Sequence, residues 1–167
     1  MNRSEVIENL KFNMIDYYNG DPKRIHHFIK VHSFARLIGS REKLGGEDMF
    51  ILECAALVHD IGIRPAEKKY GKCDGKLQEQ EGAAPARKML RDLGIDNGVM
   101  ERVCFLVSHH HTYNHIDGID YQILVEADFI VNLYEDNASA SAVESAKNNI
   151  FKTKSGTEIL KQCFNVF

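Results

Sequence analysis

Four residues, spaced far apart along the 167-residue chain, could meet at one metal ion: His27, the adjacent pair His59-Asp60, and Asp128. Each stands in apolar helical surroundings, where a polar side chain needs a partner. His59-Asp60 closes the apolar run from Ile51 to Val58, and Asp128 lies in YQILVEADFIVNLY beside Leu124 and Val131 on its own face. An unpaired carboxylate in such a place is costly, and a divalent cation is one of the few partners that satisfies imidazole and carboxylate together. Taken singly, each residue has an ordinary reading. His27 reads as a hydrogen-bonded core histidine, His59-Asp60 as a helix C-terminus with an imidazolium near the dipole, and Asp128 as a capped or ion-paired carboxylate.

A second constellation is His109-His110-His111, at the end of the apolar helix VCFLVSHHHT. Three successive histidines on a helix cannot all face inward. The stripe through Val103, Leu106 and Val107 continues to His110 or His111, which turns His109 outward. The ordinary reading here is a solvated cluster at a helix end.

The order H…HD…D, carried by RIHHFIKVHSFARLIG, AALVHDIGI and LVEADFIVN, resembles the HD superfamily of metal-dependent phosphohydrolases. The resemblance runs from about Arg24 to about Asp136. It implies a first metal held by His27, His59, Asp60 and Asp128, with His59, Asp60 and Asp128 as the catalytic set and Asp60 as bridge and orienter. In the two-metal branch, which includes the HD-GYP phosphodiesterases and the hydrolases that split dinucleoside tetraphosphates symmetrically, a histidine pair placed like His110-His111 binds a second metal. That branch also has a histidine opening the helix after the loop, where this chain has Glu81, in QEQEGAAPARKML. Glu81 is then either an oxygen ligand or a first-turn carboxylate favoured by the helix dipole. Many two-metal relatives read HDxxK and set that lysine on the substrate phosphate; here the position is Ile63, and the nearest cations are Arg64, Lys68 and Lys69, otherwise a solvated helix face.

The implied cofactor is one or two divalent transition ions, iron or manganese first, with nickel, zinc and cobalt open. Imidazole and carboxylate suit these ions, and the thiolates of a structural zinc site are missing from the set. The implied reaction is hydrolysis of a phosphate ester or anhydride in a small molecule, nucleotides first, by metal-activated water. HTYNHIDGIDYQ matches the HD-GYP branch only loosely, which speaks against a cyclic-dinucleotide phosphodiesterase. Two other classes stay open: a ligand-sensing HD domain that binds metal without turnover, and a di-iron oxygenase of the HD fold, which would consume oxygen and require iron.

The elements that must position these residues read as helix after helix. Glycine stops fall at Gly20, Gly45-Gly46, Gly62, Gly94 and Gly118, and no alternating stretch is long enough to demand a sheet. The expectation is an all-α, HD-type bundle of seven to nine helices in one domain over residues 1–167, with flanking helices over 1–20 and 139–167. His27 shares an inward stripe with Val31, Phe34 and Ile38. His59 and Asp60 stand about a hundred degrees apart on a helix, so they reach one point only near its end, which Gly62 is expected to supply. Asp21-Pro22 reads as a helix start, and Ser141 with Glu144 and Ser155 with Glu158 read as capping boxes opening the last two helices. YGKCDGK is the one loose stretch.

Basic and acidic residues number 21 and 24 and mix along the chain, so no basic field proposes nucleic acid as the main partner. Cys54, Cys73, Cys104 and Cys163 lack CxxC spacing and read as reduced thiols. No apolar stretch approaches the ~20 residues of a membrane span, and the N-terminus lacks an apolar signal core. A cytoplasmic protein, monomeric or homodimeric, with no membrane partner and a small phosphorylated substrate, is the expectation.

Overall fold

The computed structural model describes all residues, 1–167, as nine helices with no strand: α1 (Arg3–Tyr17), α2 (Pro22–Arg41), α3 (Gly46–Val58), α4 (Ile63–Tyr70), α5 (Gly75–Asp92), α6 (Asn97–Val107), α7 (Ile119–Glu135), α8 (Ala140–Asn149) and α9 (Lys154–Phe164). The all-α expectation holds. α2 packs along both α3 and α7; α6 bridges α3 and α5; α4 folds onto α5; α1 covers α3; and α8 and α9 close over α7. None of these helices is long and apolar enough to cross a membrane.

α3 is the axis of the bundle. Every residue from Phe50 to Val58 except Glu53 is buried, so the helix is apolar nearly all round and must be surrounded by others. α2 is amphipathic: Val31 and Ile38 are fully buried, Phe34 is half-buried, and His27 lies on the same inward stripe. Asp21 caps α2 as the sequence indicates, accepting from Arg24 N, with Pro22 in the first turn where no hydrogen bond is lost.

Three local expectations need correction. The last two helices start two residues earlier than the capping-box reading placed them: Ser139 Oγ accepts from Ala142 N, and Thr153 Oγ1 accepts from Gly156 N. Ser141 and Ser155 are already inside their helices, whereas a true capping box opens α1, where Asn2 and Glu5 exchange bonds of 2.9 Å. Second, Gly62 does not end α3 as a left-handed cap, since its φ is −72°. Its bareness serves packing: a Cβ there would lie 2.8 Å from Gly82 N and still closer to the Gln78 carbonyl. Third, Asp74 caps α5 by accepting from Leu77 N at 2.9 Å, so α5 begins at Gly75 and Glu81 sits well inside the helix instead of in its first turn.

Candidate metal centre

α3 ends at Val58 and the chain turns at once, with Ile61 N bonding to Val58 O and Ile63 N to Asp60 O. That turn holds His59 and Asp60 together at the helix end, and α1 fixes it from behind: Tyr18 OH donates to Asp60 O at 2.7 Å and Tyr17 OH to Ile61 O at 3.1 Å. α2 brings His27, α7 brings Asp128, and the turn after α6 brings His110 and His111.

The three innermost histidines use their rings in the same way. His27 Nδ1–H donates to Glu135 Oε2 (3.1 Å), His59 Nδ1–H to the Ala56 carbonyl (2.8 Å), and His110 Nδ1–H to the Val107 carbonyl (2.8 Å). With each Nδ1 occupied, each Nε2 points at the same small volume. His27 Nε2 stands 3.2 Å from His59 Nε2, Asp60 Oδ2 and Asp128 Oδ1; His59 Nε2 is 3.4 Å from Asp60 Oδ1 and Asp128 Oδ1; His110 Nε2 is 3.3 Å from Asp60 Oδ1. His59 and His110 are completely enclosed, and His110 Nε2 makes no hydrogen bond at all.

Two sets of ligand atoms lie within 4.8 Å of one another, His27-His59-Asp60 and Asp60-His110-His111, with Asp60 common to both. Donors about 2.1 Å from one ion stand about 3.0 Å apart in an octahedron and about 3.4 Å in a tetrahedron, so separations of 3.2–3.4 Å are those of atoms sharing an ion. The residues present fit a divalent transition ion. Their outer contacts fit too, since a ligating imidazole is normally fixed through its other nitrogen. Asn132 Nδ2 donates to Asp128 Oδ1 at 2.9 Å, and Lys30 Nζ lies 2.7 Å from the second oxygen of Glu135.

Electrostatics concentrate at the same point. Burial opposes charging of His27, but the hydrogen bond with Asp128 and the fields of Asp60 and Asp128 outweigh it and raise its pKa. For His59 burial is likewise overcome, chiefly by the charge of Asp60, and its pKa rises well above the ordinary value. Asp60 and Asp128 resist the upward push of burial through their histidine partners and titrate well below the carboxylate range. Burial together with His110 pushes His111 down to about 4, keeping that ring neutral.

The structure thus gathers His27, His59, Asp60, Asp128, His110 and His111. His109 turns outward, its ring stacked on Phe105 at 4.1 Å. Glu81 is not brought in. From its place inside α5 it accepts from Tyr70 OH at 2.9 Å and Lys69 Nζ at 3.1 Å. The cations expected to bind phosphate also lie elsewhere: Lys69 is engaged by Glu81, Lys68 is exposed to solvent, and Arg64 bonds to the Tyr17 carbonyl and stacks over the Tyr17 ring. Sequence reasoning passed over Gln78, whose Oε1 bonds to His111 Nε2 at 2.8 Å, and over Asn132 and Glu135. The last two had a signal, standing four and seven residues beyond Asp128 on its own helical stripe.

A helical bundle with six imidazole and carboxylate groups converging at its centre is the frame of a metal-binding α-helical domain. The HD domain family model matches residues 24–144, and the chain belongs to that family. The crystal structure of a predicted HD superfamily hydrolase from an uncultured Thermotogales bacterium is similar, at 25% sequence identity and a TM-score of 0.65, over 97% of this chain and 84% of that one. No curated protein matches the chain.

Proposed function

We propose that the chain is a metal-dependent phosphohydrolase acting on a phosphate ester or anhydride of a small molecule. The observation that carries the reading is the convergence of three imidazole Nε2 atoms, each ring fixed by an outward Nδ1–H bond, on Asp60 and Asp128. Family membership and the likeness to a predicted hydrolase support it. His27, His59, Asp60 and Asp128 would hold one ion, and Asp60, His110 and His111 a second, iron or manganese before nickel, zinc or cobalt. When bound, such an ion supplies Lewis acidity, lowering the pKa of a water and neutralising phosphoryl oxygens.

The chain's own groups do the rest. Glu135, held by Lys30, fixes His27 through Nδ1 so that Nε2 faces the cluster, and Asn132 orients Asp128. His111, neutral at physiological pH, offers a ring nitrogen facing Tyr113 OH at 3.5 Å. The cavity at the cluster's open side, about 350 Å³, is lined at the start of α2 by Arg24, which Asp21 and Glu67 hold, and by Lys23, which has no carboxylate partner, so Lys23 takes the place of Arg64, Lys68 and Lys69 as the cation that draws a phosphate in.

Asp60→Ala tests the reading, because it removes the carboxylate common to both ligand sets. Metal content by elemental analysis should fall for the whole site, and phosphatase activity should drop by about a hundredfold or more. Full metal retention in this variant would overturn the ligand assignment.

A further inference from the structure

The cavity that opens from His27 and Asp60 differs in character from a nucleotide site. Its volume is about 350 Å³, near the lower end of the ~300–1,000 Å³ usual for small-molecule pockets. That is room for one small phosphorylated molecule and too little for a dinucleoside polyphosphate. Of its ten lining residues only Ile63 is apolar, and none is Phe, Tyr or Trp, so no ring is there for a base to stack on. Base stacking on an aromatic side chain is a principal source of affinity for a nucleobase.

What lines the cavity is a paired set of donors and acceptors. Asn132 spends its Nδ2 on Asp128 and keeps its carbonyl oxygen as an acceptor. Gln78 spends its Oε1 on His111 and keeps its amide N–H groups as donors. Lys23, at the start of α2, and Asp136, just past the end of α7, enter into no ion pair or side-chain hydrogen bond and face the same cavity. Hydroxyl groups, each both donor and acceptor, match such a lining, and a carboxylate such as Asp136 accepts from adjacent hydroxyls together.

We infer that the substrate of this site is a small sugar phosphate, its phosphate at the His27/Asp60 end and its hydroxyls on Gln78, Asn132 and Asp136, and that nucleotides are poor substrates. The inference rests on the phosphohydrolase reading. In the reaction the oxygen of water bonds to phosphorus as the ester P–O bond breaks, and the sugar oxygen leaves as a hydroxyl carrying one of the water's protons.

The manganese-loaded full chain should be assayed on ribose 5-phosphate and glucose 6-phosphate, on AMP and ADP, and on p-nitrophenyl phosphate. Expected is a kcat/KM for the sugar phosphates at least about tenfold above that for AMP, whose adenine adds bulk to a cavity of about 350 Å³ that offers it no ring to stack on. Asp136→Ala should raise KM for the sugar phosphate more than for p-nitrophenyl phosphate. As a readout without turnover, melting temperature should rise more with ribose plus inorganic phosphate than with adenosine plus inorganic phosphate. Hydrolysis of AMP as efficient as that of the sugar phosphates would overturn the inference and leave the phosphohydrolase reading intact. No hydrolysis of any phosphate would overturn that reading instead; the melting comparison then decides the subsite, with an equal or larger shift from adenosine sinking it.

Discussion

In the proposed site the orientation of His27 is set by the ring nitrogen it would not use for the metal. Its Nδ1–H is held by Glu135, 108 positions away in sequence, and Glu135 is in turn held by Lys30, one helical turn beyond His27. Outer partners of this kind typically contribute about 10–100-fold to metal affinity. Glu135→Ala should therefore weaken manganese binding by about that factor while the fold persists, measured by competition against a chelating dye; unchanged affinity would show that His27 needs no orienting group. A second expectation concerns protons. The pKa values of His27 and His59 are raised in the metal-free site, so near neutral pH these rings retain protons that a cation must displace. For groups with raised pKa the protonated form is the one the free site favours, so affinity should weaken as pH falls, beginning above the ordinary histidine value of about 6.5. Calorimetric titration with metal in two buffers of different ionisation heat should show net proton release, and its absence would contradict the raised values.

At the scale of elements, the centre depends on how closely α5 approaches the turn after α3. Gly62 and Gly82 make that approach possible, and Gln78 reaches His111 because of it. Gly62→Ala inserts a methyl group against the α5 backbone, which can yield only by moving, so a loss of about 1–3 kcal/mol is expected. Metal affinity should fall with it. Gly20→Ala is the contrast: its φ of +85° strains any side chain, at about 1–2 kcal/mol, but there is open space around it, and metal binding should be untouched. Thermal melts paired with metal titrations distinguish the two, and equal effects on metal would remove Gly62 from its packing role. The same comparison explains what the sequence made legible. Apolar periodicity marks which face of α2 carries His27, and the stripe of α6 tells His109 from His110, because burial repeats at 3.6 residues. Gly62 and Glu81 read differently in the fold for one reason. A glycine required by a neighbour 20 residues away looks like a helix stop, and a carboxylate inside α5 looks like its start, until the α5 backbone is seen against the turn. Ser141 and Ser155 each stand two residues past the residue that caps the helix, Ser139 and Thr153, whose side-chain bonds fix where α8 and α9 begin.

For the molecule as a whole, the question is what joins the C-terminal helices to the centre, since the family match stops at residue 144 and α9 lies beyond it. The joint is Glu126, a fully buried carboxylate on α7 two residues before Asp128. One of its oxygens accepts from Lys152 N (2.7 Å), Thr153 N (2.9 Å) and Gln122 Nε2 (2.7 Å), and the other from Thr153 Oγ1 (2.5 Å). Gly156 must be bare to admit it, since a Cβ there would meet the carboxylate. α9 is pinned again where Ser155 N donates to Glu42 at 2.8 Å, on the far end of α2. Residues two apart on a helix stand about two hundred degrees of rotation apart, so Glu126 and Asp128 serve opposite faces of α7: one face clasps the C-terminal segment, the other meets the proposed metal ligands. Glu126→Ala leaves two backbone N–H groups buried without acceptors, at about 1–3 kcal/mol each. The melting temperature should fall by several degrees, with hydrogen exchange quickened first over α8 and α9. Glu126→Gln should be milder, since its amide oxygen can take the backbone donors while Thr153 Oγ1 turns to accept from the amide. Because the clasp faces away from Asp128, both variants should bind manganese with near wild-type affinity while folded. A large loss of metal affinity in Glu126→Gln would show instead that the C-terminal segment and the metal centre are one cooperative unit, joined through α7.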